Sequence, residues 1–464
     1  MDETTRHLIE FTQNARSSAV RPEVAHECKR RLIDTVGCAV GAFDDPLSVI
    51  VRGLAEETSS KEGATLWGTS TRTSMELAAF ANGTMLRVHD FNDTYFALDG
   101  AHPSDMLSAI LAFAETTRAD GAALVIAIAT GYEVFCRFMQ SLDVGVRHYD
   151  QGVYVTTAAA LAAGQLIGLT ANQLQHAVSL AIAPNLPLRQ TRKGDLSHWK
   201  GCASANAARN AVFAVQLAAR GVTGPADIFE GREGLWAVLG KFEWAELAAW
   251  PAMSTIRQTY LKNLAVCYHA QAAAQAAIAL HSKVRVQDIA SIHISAYAEA
   301  VRMIGSDPSR WAPQSRETAD HSLPFIVATC LVNGDVGAAS FDDDQLFRAD
   351  LTKLMGKTQV DADDRLTAQY PSGAPARVEV RMRDGRTLTE EVTYPKGHAA
   401  DPMSDRELVD KFTRLAGGPS PACAKALAAM WNLERSANPM GDLLPQLAAI
   451  RSVAAPKAQS PAFS

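Results

Sequence analysis

Pro22-Glu-Val-Ala-His-Glu-Cys-Lys-Arg-Arg-Leu-Ile-Asp-Thr-Val-Gly-Cys-Ala-Val-Gly41 decides the class of fold. Val24, Cys28, Leu32, Val36 and Val40 recur at i, i+4, the signature of a helix buried along one stripe. Pro22 suits the first turn, where its missing N–H is not needed. Gly37 and Gly41 leave room for another helix to approach closely. The same language continues outward. Thr170-Ala-Asn-Gln173 is a capping box, with Leu174, Ala177 and Val178 as the core face behind it and Pro184 as the stop. Residues 203–220 read as an Ala-rich helix with Val212, Phe213 and Leu217 inward, closed by Gly221. The chain up to about residue 267 is thus expected to be helix after helix.

The pattern then changes. An Ala-rich helix over roughly 268–282 is followed by Ile289-Ala-Ser-Ile-His-Ile-Ser-Ala-Tyr297, which alternates as a strand does. Residues 376–394 alternate more clearly, with Asp384-Gly385 as a hairpin signal between two runs. These features predict a smaller α+β domain over 268–400. Helical periodicity returns with Leu408, Val409, Phe412 and Leu415, so the segment 401–464 can complete the first domain and make the smaller one an insertion. The Ala/Pro/Ser-rich tail after about 455 is expected to fray.

Composition narrows the function. A net charge of -6 argues against a general nucleic-acid binder, which needs a broad basic surface. The opening MDETTRHLIEF lacks a basic region followed by an apolar run, and no stretch of some 18 uninterrupted apolar residues occurs, so neither secretion nor membrane insertion is expected and a cytoplasmic protein is. The seven cysteines are widely spaced, with no C-x-x-C pair, so disulfide, zinc and iron–sulfur frameworks lack support.

Four segments concentrate chemistry. In the first, His89, Asp90, Asp93, Thr94 and Tyr95 precede His102-Pro103-Ser104. Pro103 holds His102 out of helical geometry, and Ser104 can cap the helix that follows. The second spans Arg189, Arg192, Lys193, Asp195, His198 and Lys200, a basic cluster in an acidic chain and the kind of clamp that di- and tricarboxylates need. The third carries Lys262, Cys267, His269 and Gln271 at the change of character. The fourth is Ser315-Arg-Glu-Thr-Ala-Asp-His321-Ser-Leu-Pro324 before an apolar helix. Each also reads as an ordinary polar loop, solvated basic loop or helix cap, and spacing alone leaves both readings open. Walker, dinucleotide, G-x-S-x-G and H-E-x-x-H motifs are absent, which leaves acid–base chemistry without a cofactor as the simplest enzyme reading.

Taken in order, the segments resemble the MmgE/PrpD family, which includes 2-methylcitrate dehydratase and cis-aconitate decarboxylase. The matching residues are Arg31-Leu-Ile-Asp34 through Gly41, Ala81-Asn-Gly83, Asp90-Phe-Asn-Asp93-Thr94, His102-Pro-Ser104, Trp199-Lys200-Gly201, Asn206 to Asn210, Gly221 to Pro225, Arg316 to Pro324, and Asp401-Pro402. The resemblance implies a mainly α fold with a large all-helical domain built from both chain ends and a smaller α+β lid. It also implies a homodimer, no cofactor, and site positions at Asp90, Thr94, His102 and Lys200. Two positions depart from the family pattern. Tyr149-Asp150-Gln151-Gly152 stands where decarboxylase-like members carry a histidine, and Gln271 stands where members often have one, with His269 two residues earlier.

The expected activity is therefore metal-independent dehydration of 2-methylcitrate or a related 2-hydroxy tricarboxylate. Asp90, His102, Lys200 and His269 are the catalytic candidates. Asp93, Thr94, Gln151, Arg189, Arg192, Lys193, Gln271 and His321 are the substrate-binding candidates. A cis-aconitate-type decarboxylase and an epimerase or isomerase use the same design of base plus anion clamp and stay open as alternatives, as does a non-catalytic helical scaffold.

Overall fold

The computed structural model describes residues 1–16, 20–244 and 253–454; the tail after 455 lies outside the described residues. The chain is mainly α. Its first part runs through α1 (Glu3–Arg16), α2 (Pro22–Gly41), α3 (Pro46–Glu56), α4 (Met75–Arg87), α5 (Leu107–Thr117), α6 (Gly121–Ser141), α7 (Gly152–Leu166), α8 (Ala171–Ile182) and α9 (Trp199–Ala219). Next come α10 (Gln271–His281) and α11 (Leu323–Asn333), and last α12 (Asp405–Leu415), α13 (Pro421–Trp431) and α14 (Pro439–Ala454).

Helix α7 has no charged residue and is buried from Gly152 to Gln165, as a helix apolar on all sides must be. Its alanines, with those of α9, let neighbouring backbones approach. Phe213 of α9 departs from expectation. It is exposed, because the inward stripe of α9 is set by Ala208, Val212 and Val215 instead. Helix α6 is long and apolar enough by composition to cross a bilayer, but 78% of its apolar window is buried in the protein, as befits a core helix.

The apolar core falls into two main clusters. The larger joins Leu8, Val36, Ile128, Val155 and Val212 to Leu408, Phe412, Met430 and Leu447 from the far end of the sequence. Gly37 and Gly41 explain how the ends meet. A Cβ on Gly37 would stand 3.1 Å from the Phe412 ring, and one on Gly41 only 2.5 Å from the Leu415 side chain. The paired glycines of α2 thus seat α12.

The second cluster gathers Ala273, Ala277, Ile292, Ile294, Phe325, Val378 and Val380. Its frame is a four-stranded sheet of β1 (Ile289–Ala296), β2 (Thr358–Ala362), β3 (Ala376–Met382) and β4 (Thr387–Val392) in the order β2-β1-β3-β4. The β1–β2 pair is parallel and the other two pairs are antiparallel. The β3–β4 hairpin turns at Arg383-Asp-Gly385, with Gly385 at φ +90°. Thr94 and Tyr260 exchange backbone hydrogen bonds of 2.9 and 2.7 Å, so the Asp90–Thr94 loop is tied to the segment that leads into the second cluster.

Candidate active site

Helix α4 ends at Arg87, and the chain turns back through Asp90 in the left-handed region, at φ 47°. The turn folds the Asp90 carboxylate onto the Arg87 guanidinium. Lys262 donates to Asp90 Oδ1 at 2.8 Å and to its backbone carbonyl at 2.6 Å. Around the same carboxylate stand His321 Nε2 at 3.5 Å, His102 Nε2 at 3.7 Å and Lys200 Nζ at 3.9 Å. Burial alone would push the Asp90 carboxyl up, but Arg87, Lys262 and Lys200 together hold it well below the usual carboxylate range.

His102 is fixed by its neighbours. Its Nδ1 lies 2.7 Å from the Asp93 carbonyl and 3.1 Å from Thr94 Oγ1. A carbonyl only accepts, so Nδ1 carries the hydrogen and the neutral ring keeps its lone pair on Nε2. Burial, and then the charges of Arg87 and Lys262, hold His102 well below the ordinary histidine range. The predicted Ser104 cap is corrected. A 3₁₀ turn, Pro103–Met106, precedes α5, and His102 itself occupies the capping position without a side-chain bond. The Asp93 carboxylate takes the capping role by accepting from Ser104 N at 2.9 Å.

Lys200, at the start of α9, donates to Asp320 at 3.0 Å and meets His321 Nδ1 at 3.1 Å. Burial, then the Lys200 charge, lowers His321 to about 4. His269 is also lowered to about 4 by burial; its Nδ1 is 2.6 Å from the Tyr297 hydroxyl and its ring stacks on Phe96.

Arg87, Asp90, Thr94, His102, Gln151, Arg189, Arg192, His269 and His321 line an inner pocket of about 70 Å³, whereas Lys200 and Lys262 meet it only through Asp90 and His321. It shares Gly100, Arg189, His269 and Met303 with an outer chamber of about 740 Å³, so His269 and Arg189 stand where one opens into the other. The basic loop is divided between them. Arg192 forms a two-pronged pair with Asp150 (2.9 and 3.2 Å), whereas Lys193 is exposed and lines only the outer chamber. Gln151 donates to Asp105 at 2.9 Å and Ser204 at 2.7 Å.

Two expected substrate contacts do not line this pocket. Gln271 does not reach the pocket, because its amide is consumed by the backbone of Leu264 and Val266. Asp93 is fully buried, with its carboxylate accepting from Ser104 N and the Tyr132 hydroxyl and its carbonyl turned to His102 Nδ1. Sequence reasoning overlooked Arg87 and Arg310, and weighed Asp320 as a helix cap within the 315–324 segment. Arg87 carried a usable signal, its i, i+3 spacing to Asp90. Arg310, from the short turn Pro308–Trp311, carried none.

Asp90, Cys267 and His321 bring one possible ligand atom each within 4.8 Å of one another. The donor set suits a divalent cation poorly. Arg87 and Lys262 already neutralise Asp90, and their charges stand where a cation would have to sit.

Residues 6–248 match the model of the MmgE/PrpD N-terminal domain, and residues 264–435 that of the MmgE/PrpD C-terminal domain. A 2-methylcitrate dehydratase of Cupriavidus necator is 28% identical over 420 residues, covering 84% of this chain and 85% of the relative. One from Escherichia coli (strain K12) is 27% identical over 435 residues, 87% and 88% of the two chains. An alkylcitrate dehydratase, phiI, of a fungal species (strain ATCC 74256) is 26% identical over 414 residues, 82% of each. The two matched models divide the chain near residue 260, where the core also changes cluster, and on this footing the chain belongs to the MmgE/PrpD family.

Proposed function

We propose that this chain is a hydro-lyase of the citrate-dehydratase type, acting on 2-methylcitrate or a related 2-hydroxy tricarboxylate without metal or cofactor. The observation that carries the reading is His102. It is a neutral imidazole with Nδ1–H spent on the Asp93 carbonyl and Nε2 free, in a pocket walled by cations.

Nε2 takes the proton from the carbon α to a substrate carboxylate. The electron pair of that C–H bond moves onto the carboxylate, where nearby cations stabilise the dianion. As the C=C bond forms, the C–O bond at the neighbouring carbon breaks. The departing hydroxide takes a proton from the Lys200 ammonium, which Asp320 and His321 hold in place, and leaves as water. Asp90 keeps Arg87, Lys262 and Lys200 around the site rather than moving protons itself. The second unit serves as a lid over the pocket, and the active protein is a cytoplasmic homodimer.

Gln151 favours dehydration over decarboxylation. Its amide, anchored on Asp105 and Ser204, cannot carry a proton where decarboxylase-like members have a histidine. A polycarboxylate panel in deuterated solvent, read for alkene absorbance, CO2 and deuterium in recovered substrate, tests the reaction class. Alkene without CO2 is expected from 2-methylcitrate. CO2 release, or exchange with no alkene, would overturn the reading.

A further inference from the structure

Each cation so far placed around Asp90 has an anionic partner. Arg87 and Lys262 meet Asp90, and Lys200 meets Asp320. Arg192, on the pocket wall, meets Asp150. Arg310 is different. It lines the same inner pocket and is only 2% exposed, yet its Nε and Nη1 have no hydrogen-bond partner, and no carboxylate lies within ion-pairing distance of it among the described residues. Its backbone is well fixed. Arg310 sits in the 3₁₀ turn Pro308–Trp311, capped by Asp307 on Ser309 N at 2.9 Å. Ser322, the cap of α11, donates to the Arg310 carbonyl, and Trp311 Nε1 donates to Gly305 O at 2.8 Å. A rigid turn thus presents a buried guanidinium with unused donors to a cavity. A buried, unpaired charge is costly, so a site that keeps one is built for an anion that arrives later.

We propose that Arg310 is the docking group for a substrate carboxylate that takes no part in bond breaking. The proposal rests on the polycarboxylate reading above and extends it to a residue that the second unit supplies to a pocket whose base comes from the helical unit. A planar guanidinium offers parallel donors that match a carboxylate, and pairing it would offset the cost of burying its charge. The ligand class is a polycarboxylate with at least one carboxylate remote from the reacting C–H and C–O bonds. A substrate bound this way bridges the two core clusters.

The test uses the full chain and tricarballylate, a tricarboxylate without the hydroxyl group, as an unreactive probe. Arg310→Met should bind tricarballylate at least about thirtyfold more weakly in calorimetry and raise KM for 2-methylcitrate by a similar factor, with kcat within about threefold. The ligand-free variant should melt no lower than the parent, because an uncompensated charge has been removed. Arg310→Lys should fall between the two in affinity, since a point charge replaces the fork. Unchanged tricarballylate affinity in Arg310→Met would overturn the proposal. So would a lowered ligand-free melting temperature restored by Arg310→Lys with no affinity difference, which makes Arg310 structural. If tricarballylate binding depends on Arg310 but 2-methylcitrate is not dehydrated, the proposal stands and the assigned reaction fails.

Discussion

A carboxylate pressed against Arg87, Lys262 and Lys200 is a poor base, since those charges favour its ionised form and lower its affinity for a proton. His102 has the opposite setting. The cations that hold Asp90 ionised also keep the imidazole neutral, and a base must be neutral before it acts. This gives a signed pH prediction. His102 is lowered well below its ordinary value of 6.5, so kcat/KM should be insensitive to His102 above 6.5 and fall only as pH drops through the lowered value. An acid limb centred at or above 6.5 would contradict the assignment. Much of this site was legible because Asp90, Thr94 and His102 crowd into one short loop whose His-Pro step fixes geometry locally. Spacing did not show that the Gln271 amide serves nearby backbone, and Arg310 was invisible because its isolation is a property of packing that no spacing encodes.

At the scale of elements, α12 is tied to the Asp90 loop. Lys411 is buried and donates to Asp34 of α2 at 2.7 Å, to the Phe91 carbonyl at 2.9 Å and to the Lys262 carbonyl at 2.8 Å. The last two bonds grip the residue next to Asp90 and the backbone of the lysine that neutralises it. Lys411→Met strands a buried carboxylate and should cost about 3–5 kcal/mol of stability. Asp34→Asn in the same chain should restore part of that loss in a double-mutant cycle. Additive losses measured by denaturant unfolding would show that the pair is not coupled. Helix positions were readable where period and caps agreed. The Thr170–Gln173 capping box forms as read, and the alternation and Asp-Gly of 376–394 become β3 and β4. Phe213 failed because an Ala-rich helix offers several faces of similar polarity, and its neighbours, not its own apolarity, choose which one is buried. The paired glycines of α2 announced a close helix but not which helix, since the partner lies at the other end of the chain.

Across the whole molecule, the inner pocket draws His102 and Asp90 from one stretch of the chain and His269, Arg310 and His321 from another, and the proposed lid would move one against the other on entry. Hydrogen exchange with bound tricarballylate should therefore protect the 89–104 loop and the 308–322 segment together. Protection confined to either one would argue against a shared cleft. The exposed Leu98, Val146 and Leu188 line the outer chamber, which gives the mouth an apolar wall beside the charged inner site.

The central claim, that His102 Nε2 begins a dehydration, is tested most directly by following alkene formation from 2-methylcitrate with the parent chain and with His102→Asn, both pretreated with chelator. Asparagine can still donate to the Asp93 carbonyl but cannot carry a proton. The account predicts robust turnover by the parent and a loss of at least about a hundredfold in the variant, with melting temperature little changed. A His102→Asn chain that dehydrates 2-methylcitrate at close to the parent rate would contradict it.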